Sequence, residues 1–493
     1  MMHFKLTKIV LACGVFALSA CTMEPKYVRP ALPVSATYAQ ADQMRTTNVS
    51  PSDVAWEAYY PNAELRGLIA LAIANNRDLR VSVLNIERAR AQYRIQRADL
   101  LPTLAAQAGG NVARMPSDLS ATGQSGVTHD YSVGGAVASY ELDLFGRVRS
   151  LTRQALQAYL ATEQARRAVQ ISLVSEVANA WLTLQADHQL YLLARQTRES
   201  QSGTLSMIDS GYRAGTSTAL DLNQARSQVR SAQAAVARYD RQIKLDHNAL
   251  TLLVGSTIPA EWMTYVPLES IRLDEHLDAG APSDLLTRRP DIIEAENQLK
   301  AANANIGAAR AAFFPRIVLT ASGGTASASL SGLFDPGSAA WSFGPSISVP
   351  IFDFGRNAAN LEVSKVQREI EVENYRKAIQ LAFREVSDAL DGRETFVSQE
   401  EAQAGLVAAN AESYRLSHER FENGVSSYLD VLVSQRALFQ SQQDWVAVRL
   451  AREANVVNLY GALGGGWKTG DKTGASAASS RAEVAVHPAA HGD

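Results

Sequence analysis

The sequence has almost no cysteine. Of its 493 residues only Cys13 and Cys21 are cysteine, and Cys13 lies in an N-terminal segment with the features of a removable signal peptide. Removal of that segment would leave a single cysteine, so the mature chain could form no internal disulfide. Its stability must therefore come from packing.

The sequence also lacks an excess of positive charge. It has 47 basic and 50 acidic side chains, a formal charge of -3. Loss of Lys5 and Lys8 with the signal segment would leave 45 basic against 50 acidic side chains, a charge of -5. Because nucleic-acid binding usually requires a basic surface, the composition argues against DNA or RNA as a partner.

Sequence signatures of catalysis are absent as well. The sequence contains no His-Glu-x-x-His motif, no phosphate-binding loop and no Gly-x-Ser-x-Gly turn, and its histidines fall in unrelated segments. We therefore expect no enzymatic activity, no metal site and no cofactor apart from a covalent lipid on Cys21.

The N-terminus has the pattern of a bacterial lipoprotein signal. Lys5 and Lys8 precede an apolar run over residues 9–17, which is too short to span a bilayer. The sequence Leu-Ser-Ala-Cys follows at residues 18–21 and resembles the lipobox, which directs cleavage before a lipid-modified cysteine.

We accordingly predict a signal peptide over residues 1–20, a lipid on Cys21, and a lipidated, extended N-terminal segment over residues 21–61. Thr22, directly after the cysteine, favours transfer to the outer membrane. The alternative is an ordinary signal peptide whose removal leaves Cys21 as a free thiol.

An internal repeat organises the rest of the chain. Long segments match at a constant offset of 209 residues, and earlier segments match at an offset of 213. A repeat of this length indicates duplication of a whole structural unit. The matches at 209 are residues 145–147 with 354–356, 215–221 with 424–430, and 253–255 with 462–464. The predicted divisions are repeat 1 over residues 62–255, a connector over 256–277, repeat 2 over 278–464, and a disordered tail over 465–493.

Helical periodicity dominates both repeats. Residues 147–209 contain no proline and have an apolar stripe with steps of three and four, which predicts one long helix. Further helices are predicted over residues 64–101 and from Pro290 onward. The helix after each long one has the seam of a coiled coil, at Leu222, Ala225, Val229, Ala232, Val236, Tyr239 and Ile243, and at Val431, Ser434, Leu438, Ser441, Trp445 and Val448.

Each repeat also has two segments with the alternating pattern of a strand. The clearest covers residues 341–351, where apolar residues or proline alternate with small polar ones, and Trp341 and Phe343 suit an aromatic belt. The other predicted strands cover residues 317–322, 104–112 and 131–137, and the Gly/Ser-rich stretches at 113–130 and 323–340 are predicted to be loops.

Four strands are too few to close a barrel alone. If the chain crosses a membrane it does so as strands, and backbone inside a bilayer must be fully hydrogen-bonded. Two copies would give about eight strands, whereas three would give about twelve and leave room for a lumen. A pair of periplasmic β-sandwiches is the alternative.

These features together resemble the TolC-type outer-membrane factors, in particular the lipoprotein branch that serves resistance-nodulation-division (RND) efflux pumps. The resemblance covers nearly the whole chain apart from the tail. The segments that carry it are residues 25–30, 143–147, 288–292, 311–315, 352–356 and 428–432.

The resemblance implies a membrane β-barrel continued by a long α-helical coiled-coil barrel. A homotrimer would have four strands per chain, twelve in all, with an internal two-fold repeat in each chain. The implied partners are outer-membrane lipid, a periplasmic adaptor and an inner-membrane RND pump. The implied function is passive conduction of drugs or toxic compounds from the periplasm to the exterior.

The same resemblance assigns candidate site residues. The adaptor-docking tips would be two helical hairpin turns that contain Gly215 and Thr216, and Gly424 and Ser426. The periplasmic gate would be formed by Tyr428, Leu429, Asp430 and Val433. Relatives often have aspartate at the position of Val433, so a second acidic ring is in doubt here.

Two other functions fit the same residues. A duct of the same fold could serve heavy-metal export or protein secretion. A lipid-anchored coiled-coil scaffold without a pore would explain the long helices equally well, and conductance in planar bilayers would distinguish it from a duct.

We predict that Cys21→Ser abolishes lipid attachment, because the serine hydroxyl cannot replace the thiol in the lipobox reaction. Metabolic labelling with radioactive palmitate should mark the natural chain and leave the variant unlabelled. A labelled variant would contradict the lipobox assignment.

Overall fold

The computed structural model describes residues 22–38, 51–120, 123–274, 277 and 280–468. The predicted signal peptide, Cys21 and nearly all of the predicted tail lie outside the described residues.

The α-helices are α1 Trp56–Tyr59, α2 Ala63–Asn75, α3 Arg77–Ala98, α4 Arg147–Arg213, α5 Ala219–Val254, α6 Leu285–Arg288, α7 Pro290–Ala311, α8 Arg356–Glu422 and α9 Tyr428–Ala462. The strands are β1 Leu104–Met115, β2 Gly126–Leu142, β3 Arg316–Ser327 and β4 Ala339–Ser348. Short 3-10 turns cover Pro51–Asp53, Ala260–Met263, Leu268–Ser270, Pro282–Asp284 and Leu330–Gly332.

The order of the elements repeats, and so do most of their lengths, although β2 has 17 residues and β4 has 10. In each half a helix of 22 residues (α3, α7) leads into a strand of 12 (β1, β3), and after a second strand comes a helix of 67 residues (α4, α8). Helices α5 and α9 follow with 36 and 35 residues. Such close agreement in length confirms the internal two-fold repeat.

The helix predicted over residues 64–101 is in fact two helices. Asn76 ends α2 with an extended backbone (ψ 131°), and its side-chain oxygen then accepts a hydrogen bond from the Leu79 N–H at 2.9 Å at the start of α3. Asparagine is a favourable N-cap residue because its short side chain reaches the backbone N–H groups of the first helical turn. The apolar periodicity of the sequence continues across Asn76, so the periodicity alone does not show that one helix ends there and another begins.

The described residues divide into two compact units. The first consists of residues 22–32, 83–165 and 291–378, and the second of residues 33–82, 166–290 and 379–468. The first unit contains the sheet, whose strand order is β1-β2-β3-β4 with every neighbouring pair antiparallel. Strands β1 and β4 are therefore its edges.

The strands extend further into the predicted loops than their composition indicated. Residues 113–115, 126–130, 323–327 and 339–340 belong to strands, because pairing with a neighbouring strand stabilises Gly/Ser-rich segments of low intrinsic β-propensity. Conversely, β4 ends at Ser348, before residues 349–351. Pro350 has no N–H group to donate to the sheet.

Glycines allow a close approach between β2 and β3, the strands from the two repeats that pair within the chain. Gly134 lies opposite Gly324. A Cβ atom on Gly134 would lie 2.5 Å from the Gly323 carbonyl oxygen, and one on Gly324 would lie 2.2 Å from the Val133 carbonyl oxygen. Both distances are far inside van der Waals contact, so side chains are excluded at this junction.

In the second unit the predicted seam of α5 is confirmed. Leu222, Ala225, Val229, Ala232 and Tyr239 are buried. A capping box begins the helix, since Thr218 accepts a hydrogen bond from the Asp221 N–H at 3.1 Å while Asp221 accepts one from the Thr218 N–H at 3.0 Å. Within the described ranges no helix is long and apolar enough to pass through a lipid bilayer.

A carboxyl pair joins α4 and α5 in this unit. Burial, followed by a hydrogen bond with Asp246, raises the pKa of Asp187 to about 7, and Arg238 opposes the shift. The neighbouring His188 has its pKa lowered by burial. The two carboxyls therefore lie close enough for Asp246 to favour the protonated form of Asp187.

We predict that Asp187→Asn stabilises the protein at pH 8 and does so less at pH 5. A raised folded-state pKa contributes stability below the unfolded-state pKa, and that stability is lost as the pH rises towards 7. After solvent screening the gain should be on the order of 1 kcal/mol. Thermal unfolding at both pH values measures it, with Asp240→Asn, at an exposed carboxylate bonded to Lys244, as the control. An equal effect at both pH values would contradict the raised pKa of Asp187.

Candidate functional site

Both predicted hairpin turns lie between the expected helices and have the same backbone geometry. Gly215, between α4 and α5, has φ 77°, and Gly424, between α8 and α9, has φ 70°. The Thr216 N–H donates to the Gly211 carbonyl at 2.8 Å, and the Val425 N–H donates equivalently to Arg420 at 2.8 Å. A Cβ atom on either glycine would contact nothing within 4 Å, so the positive φ, rather than lack of space, requires glycine.

The other two predicted tip residues differ in accessibility. Thr216 is exposed and its hydroxyl donates to the Gly211 carbonyl at 3.1 Å. Ser426 is half-buried. Only the first turn therefore presents both of its predicted docking residues at the surface of this chain.

A hydrophobic cluster lies behind the turns and joins the two hairpins. Its buried members are Ile208, Leu222, Ala225, Tyr428, Val431 and Leu432, with Leu205, Tyr414 and Phe421 packed against them. We call this cluster the hairpin core. Because it combines residues of both repeats, the two hairpins pack as one body within the second unit.

The four predicted gate residues do not all share one environment. Tyr428 belongs to the hairpin core, where burial raises the pKa of its hydroxyl, and its ring centroid lies 5.8 Å from that of Phe421. Leu429 and Val433, in contrast, are 53% and 60% exposed, and Asp430 is also exposed. Tyr428 therefore packs inside the hairpin core, while the other three predicted gate residues form an exposed face of α9.

Asp430 has a structural role in the single chain. It lies in the first turn of α9, where its carboxylate accepts a hydrogen bond from the Ser427 hydroxyl at 3.3 Å. Asp221 has the equivalent position in the complete capping box of α5. A carboxylate at this position stabilises the helix N-terminus, so a test of Asp430 must separate capping from gating.

Several polar contacts behind the hairpin turns are not predicted by the sequence. Asp209 pairs with Arg213 one turn along α4 and lies 3.8 Å from Arg226 on α5. The hydroxyls of Ser200 and Tyr414 link the two hairpins at 3.1 Å. The spacing of four residues between Asp209 and Arg213 is a readable signal, but the two longer-range contacts depend on how the helices pack.

The N-terminal residues 22–32, here named the N-terminal strap, run antiparallel to α7. Arg310 donates to the Met23 carbonyl at 3.2 Å, Asn303 donates to the Pro25 carbonyl at 2.8 Å, and further along the strap Arg29 meets Glu296. The three α7 residues are spaced by seven, so they lie on one face of the helix.

Glu296 accepts three hydrogen bonds from the strap. Arg29 donates two hydrogen bonds to its carboxylate at 2.9 and 3.0 Å, and Tyr27 donates a third at 3.0 Å. Burial raises the pKa of Glu296, but these bonds and the charge of Lys300 outweigh burial and lower it. A bidentate pair of this kind fixes the register of the strap on α7.

Comparison with known proteins agrees with this geometry. The sequence matches the family described as outer membrane efflux protein over residues 68–256 and 281–465, one match for each repeat. It is 48% identical over 461 residues to the solvent efflux pump outer membrane protein SrpC of Pseudomonas putida, covering 92% of this chain and 97% of that protein. It is 46% identical over 467 residues to the antibiotic efflux pump outer membrane protein ArpC of Pseudomonas putida, covering 94% and 96%.

The fold is likewise that of a known outer-membrane channel. The open state of the MtrE outer membrane channel of Neisseria gonorrhoeae superposes with a TM-score of 0.83 at 38% identity, over 92% of this chain and 100% of that one. The predicted TolC-type fold, the location in the outer membrane and the absence of an enzymatic role are confirmed, since the family's role is transport. The chain belongs to the outer membrane efflux protein family and is the outer-membrane channel component of an efflux pump.

Proposed function

We propose that three copies of the chain form the exit duct of a tripartite efflux system. Each copy contributes four strands to one closed sheet in the outer membrane. A periplasmic adaptor docks on the hairpin tips, and an inner-membrane RND pump supplies the energy, so that the duct itself conducts passively. The names of SrpC and ArpC favour organic solvents and antibiotics as the transported compounds.

The observation that carries this proposal is the pair of sheet edges. Among the described residues of one chain, β1 and β4 each present a row of backbone groups with no neighbouring strand. One face of β4 is apolar and exposed, with Trp341 82% accessible. Unpaired backbone groups in hydrocarbon cost several kcal/mol each, so such a sheet must close on further copies.

The internal repeat predicts how the edges of two copies meet. Strand β2 is equivalent to β4 at an offset of 209, and β3 is equivalent to β1 at 213. The pairing of β2 with β3 is therefore a template for pairing β4 with β1 of a neighbouring copy. Inside the chain Leu142 lies opposite Ile317. The equivalent pair between two copies is Ile351 opposite Leu104 of the neighbour.

A bulge in β2 must be included in this translation. Between residues 137 and 140 β2 has one residue more than β3, and continuous pairing of β4 needs no such residue. Without the extra residue, the equivalence shifts by one position, and the pair of Val137 with Ala321 corresponds to Ile347 opposite Ala108 of the neighbour. Over most of the pair this register places apolar residues opposite apolar ones and small or polar residues opposite each other, as a membrane sheet requires, while Trp341 meets Arg114 near the ends of the strands.

We predict that the double variant Gln107→Cys/Ser348→Cys forms disulfides between copies. The two residues are opposite in the translated register, and the only other cysteine of the mature chain is the predicted lipid site. Oxidation of membranes should give covalent dimers and trimers on a non-reducing gel, and no larger species, because three links close the ring.

The matched control is Ala113→Cys/Ser348→Cys. It displaces one thiol by six residues along the same face of β1, about 20 Å at the rise of a strand, and should not cross-link. Cross-linking of the control in place of the first pair would refute the register, and ladders beyond three chains would refute the closed trimer.

Support for the lipid anchor comes from the N-terminal strap. Contacts from Met23 to Arg310 place the start of the strap at the C-terminal end of α7, which ends at Ala311, and β3 begins at Arg316. Cys21 directly precedes Thr22, the first residue of the strap. A lipid on Cys21 would therefore enter the membrane beside the strands that cross it.

For the gate, we propose that the exposed face of α9 lines the periplasmic mouth. In three copies Leu429 and Val433 would form an apolar collar and Asp430 an acidic ring. Such a mouth can exclude solutes by dewetting and by charge.

We predict that Asp430→Ala raises leak conductance in planar bilayers by a few-fold and sensitises cells to bulky antibiotics. Asp221→Ala removes the equivalent cap from α5 and is the matched control, since it should weaken the helix by about 1 kcal/mol without opening the mouth. Equal leak from both variants would show that capping, and not an acidic ring, explains the effect of Asp430.

A further inference from the structure

A cavity of about 820 Å³ opens between α4, α5 and α9 in the second unit. Its volume lies within the range of small-molecule sites. Two polar contacts between α5 and α9 bracket it: Arg436 Nε donates to Gln228 at 3.2 Å, and the Tyr239 hydroxyl donates to Gln443 at 2.8 Å. Eleven residues, about three helical turns, separate the two contacts along α5.

Small side chains keep the space between these contacts open. Along α5 the lining residues between the two contacts include Ser231, Ala232 and Ala235, and Ala437 lines the opposite side on α9. These short side chains leave space between the two helices, and Phe439 and Gln440 of α9 also line that space.

The charged groups that line the cavity are both positive. They are Arg238 and Arg436, and the lining residues include no carboxylate. The Arg238 guanidinium is held over the Tyr239 ring at 4.6 Å and donates to its hydroxyl at 2.8 Å, while Gln228 holds Arg436. Each guanidinium has five N–H donors, and these contacts use few of them.

The wall of the cavity also contains a buried acceptor. Gln201 on α4 is 8% exposed, and its side-chain oxygen has no hydrogen-bond partner among the described residues. A buried polar atom without a partner costs about 1–3 kcal/mol. A ligand that donates a hydrogen bond to this oxygen would remove that cost.

We propose that the cavity is a binding site for small organic anions that have an N–H or O–H donor beside the acidic group. Arg238 and Arg436, in the contacts at the two ends of the cavity, attract the anion by their charge, and the Gln201 oxygen accepts the hydrogen bond of the donor.

The location of Arg436 suggests a role in transport. It follows Leu429 and Val433 on α9 by seven and three residues, so all three lie on the same face of the helix. A solute that passes the proposed gate would reach Arg436 next. This role rests on the proposed channel function, whereas binding itself does not.

Binding is tested with dansylglycine, a fluorescent carboxylate with an adjacent sulfonamide N–H. Fluorescence titration of the detergent-purified full-length protein, with protein-free micelles as the blank, should show saturable binding that weakens as salt is added. Dansylglycinamide lacks the charge and dansylsarcosine lacks the N–H. Both should bind about tenfold more weakly to the unaltered protein.

Substitutions test which side chains of the cavity bind the probe. Arg238→Gln and Arg436→Gln should each weaken dansylglycine binding by about tenfold. Arg230→Gln, on the same helix but outside the cavity, should not change it. In Gln201→Leu, dansylglycine and dansylsarcosine should bind equally, because the acceptor that distinguishes them is gone. This variant should unfold no more easily than the natural chain, since it removes an unpartnered polar atom.

The site is refuted if the unaltered protein shows no saturable binding, if dansylglycinamide binds as tightly as dansylglycine, or if neither arginine substitution matters. Comparison of the probes on the unaltered protein needs no variant, so a misfolded variant cannot leave the question open. Conductance is measured separately. A protein that conducts but does not bind dansylglycine refutes only the site, and one that binds but does not conduct refutes only the channel.

Discussion

The backbone groups on the outer edges of β1 and β4 are the constraint on which the rest of the structure depends. A strand in hydrocarbon has no water to hydrogen-bond with, so each N–H and C=O group must find another strand. The order β1-β2-β3-β4 leaves two edges in one chain. The proposed number of copies follows from this requirement, because a sheet of four strands becomes complete only when its two edges pair with the edges of other copies.

Duplication provides a simple way to meet that requirement. Because the two repeats have the same order of strands and long helices, the junction between them inside the chain resembles the junction needed between copies. The hairpin core follows the same logic, since Ile208 and Leu222 of the first repeat pack with Tyr428 and Val431 of the second. Differences between the repeats are then informative. The complete capping box at Asp221 and the partial one at Asp430 show where equivalent positions diverge.

Much of this was readable from the sequence, because periodicity and glycine position are local signals. The offset of 209 residues, the long helices, the four strands and the turns at Gly215 and Gly424 all rest on such signals. The break at Asn76 was missed because the apolar stripe continues across it. The lengths of β1 to β4 were misjudged because partner strands determine how far pairing extends. The burial of Tyr428 and the cavity beside Gln201 depend on how separate helices pack, which no local pattern reveals.

The most direct test of the shared sheet is the mass and shape of the detergent-purified protein, measured by native mass spectrometry and negative-stain imaging. The account predicts a particle of three chains with threefold symmetry and a hollow centre. A monomer, a particle of two chains, or a solid rod would contradict it, because none of these could close a sheet of twelve strands around a lumen.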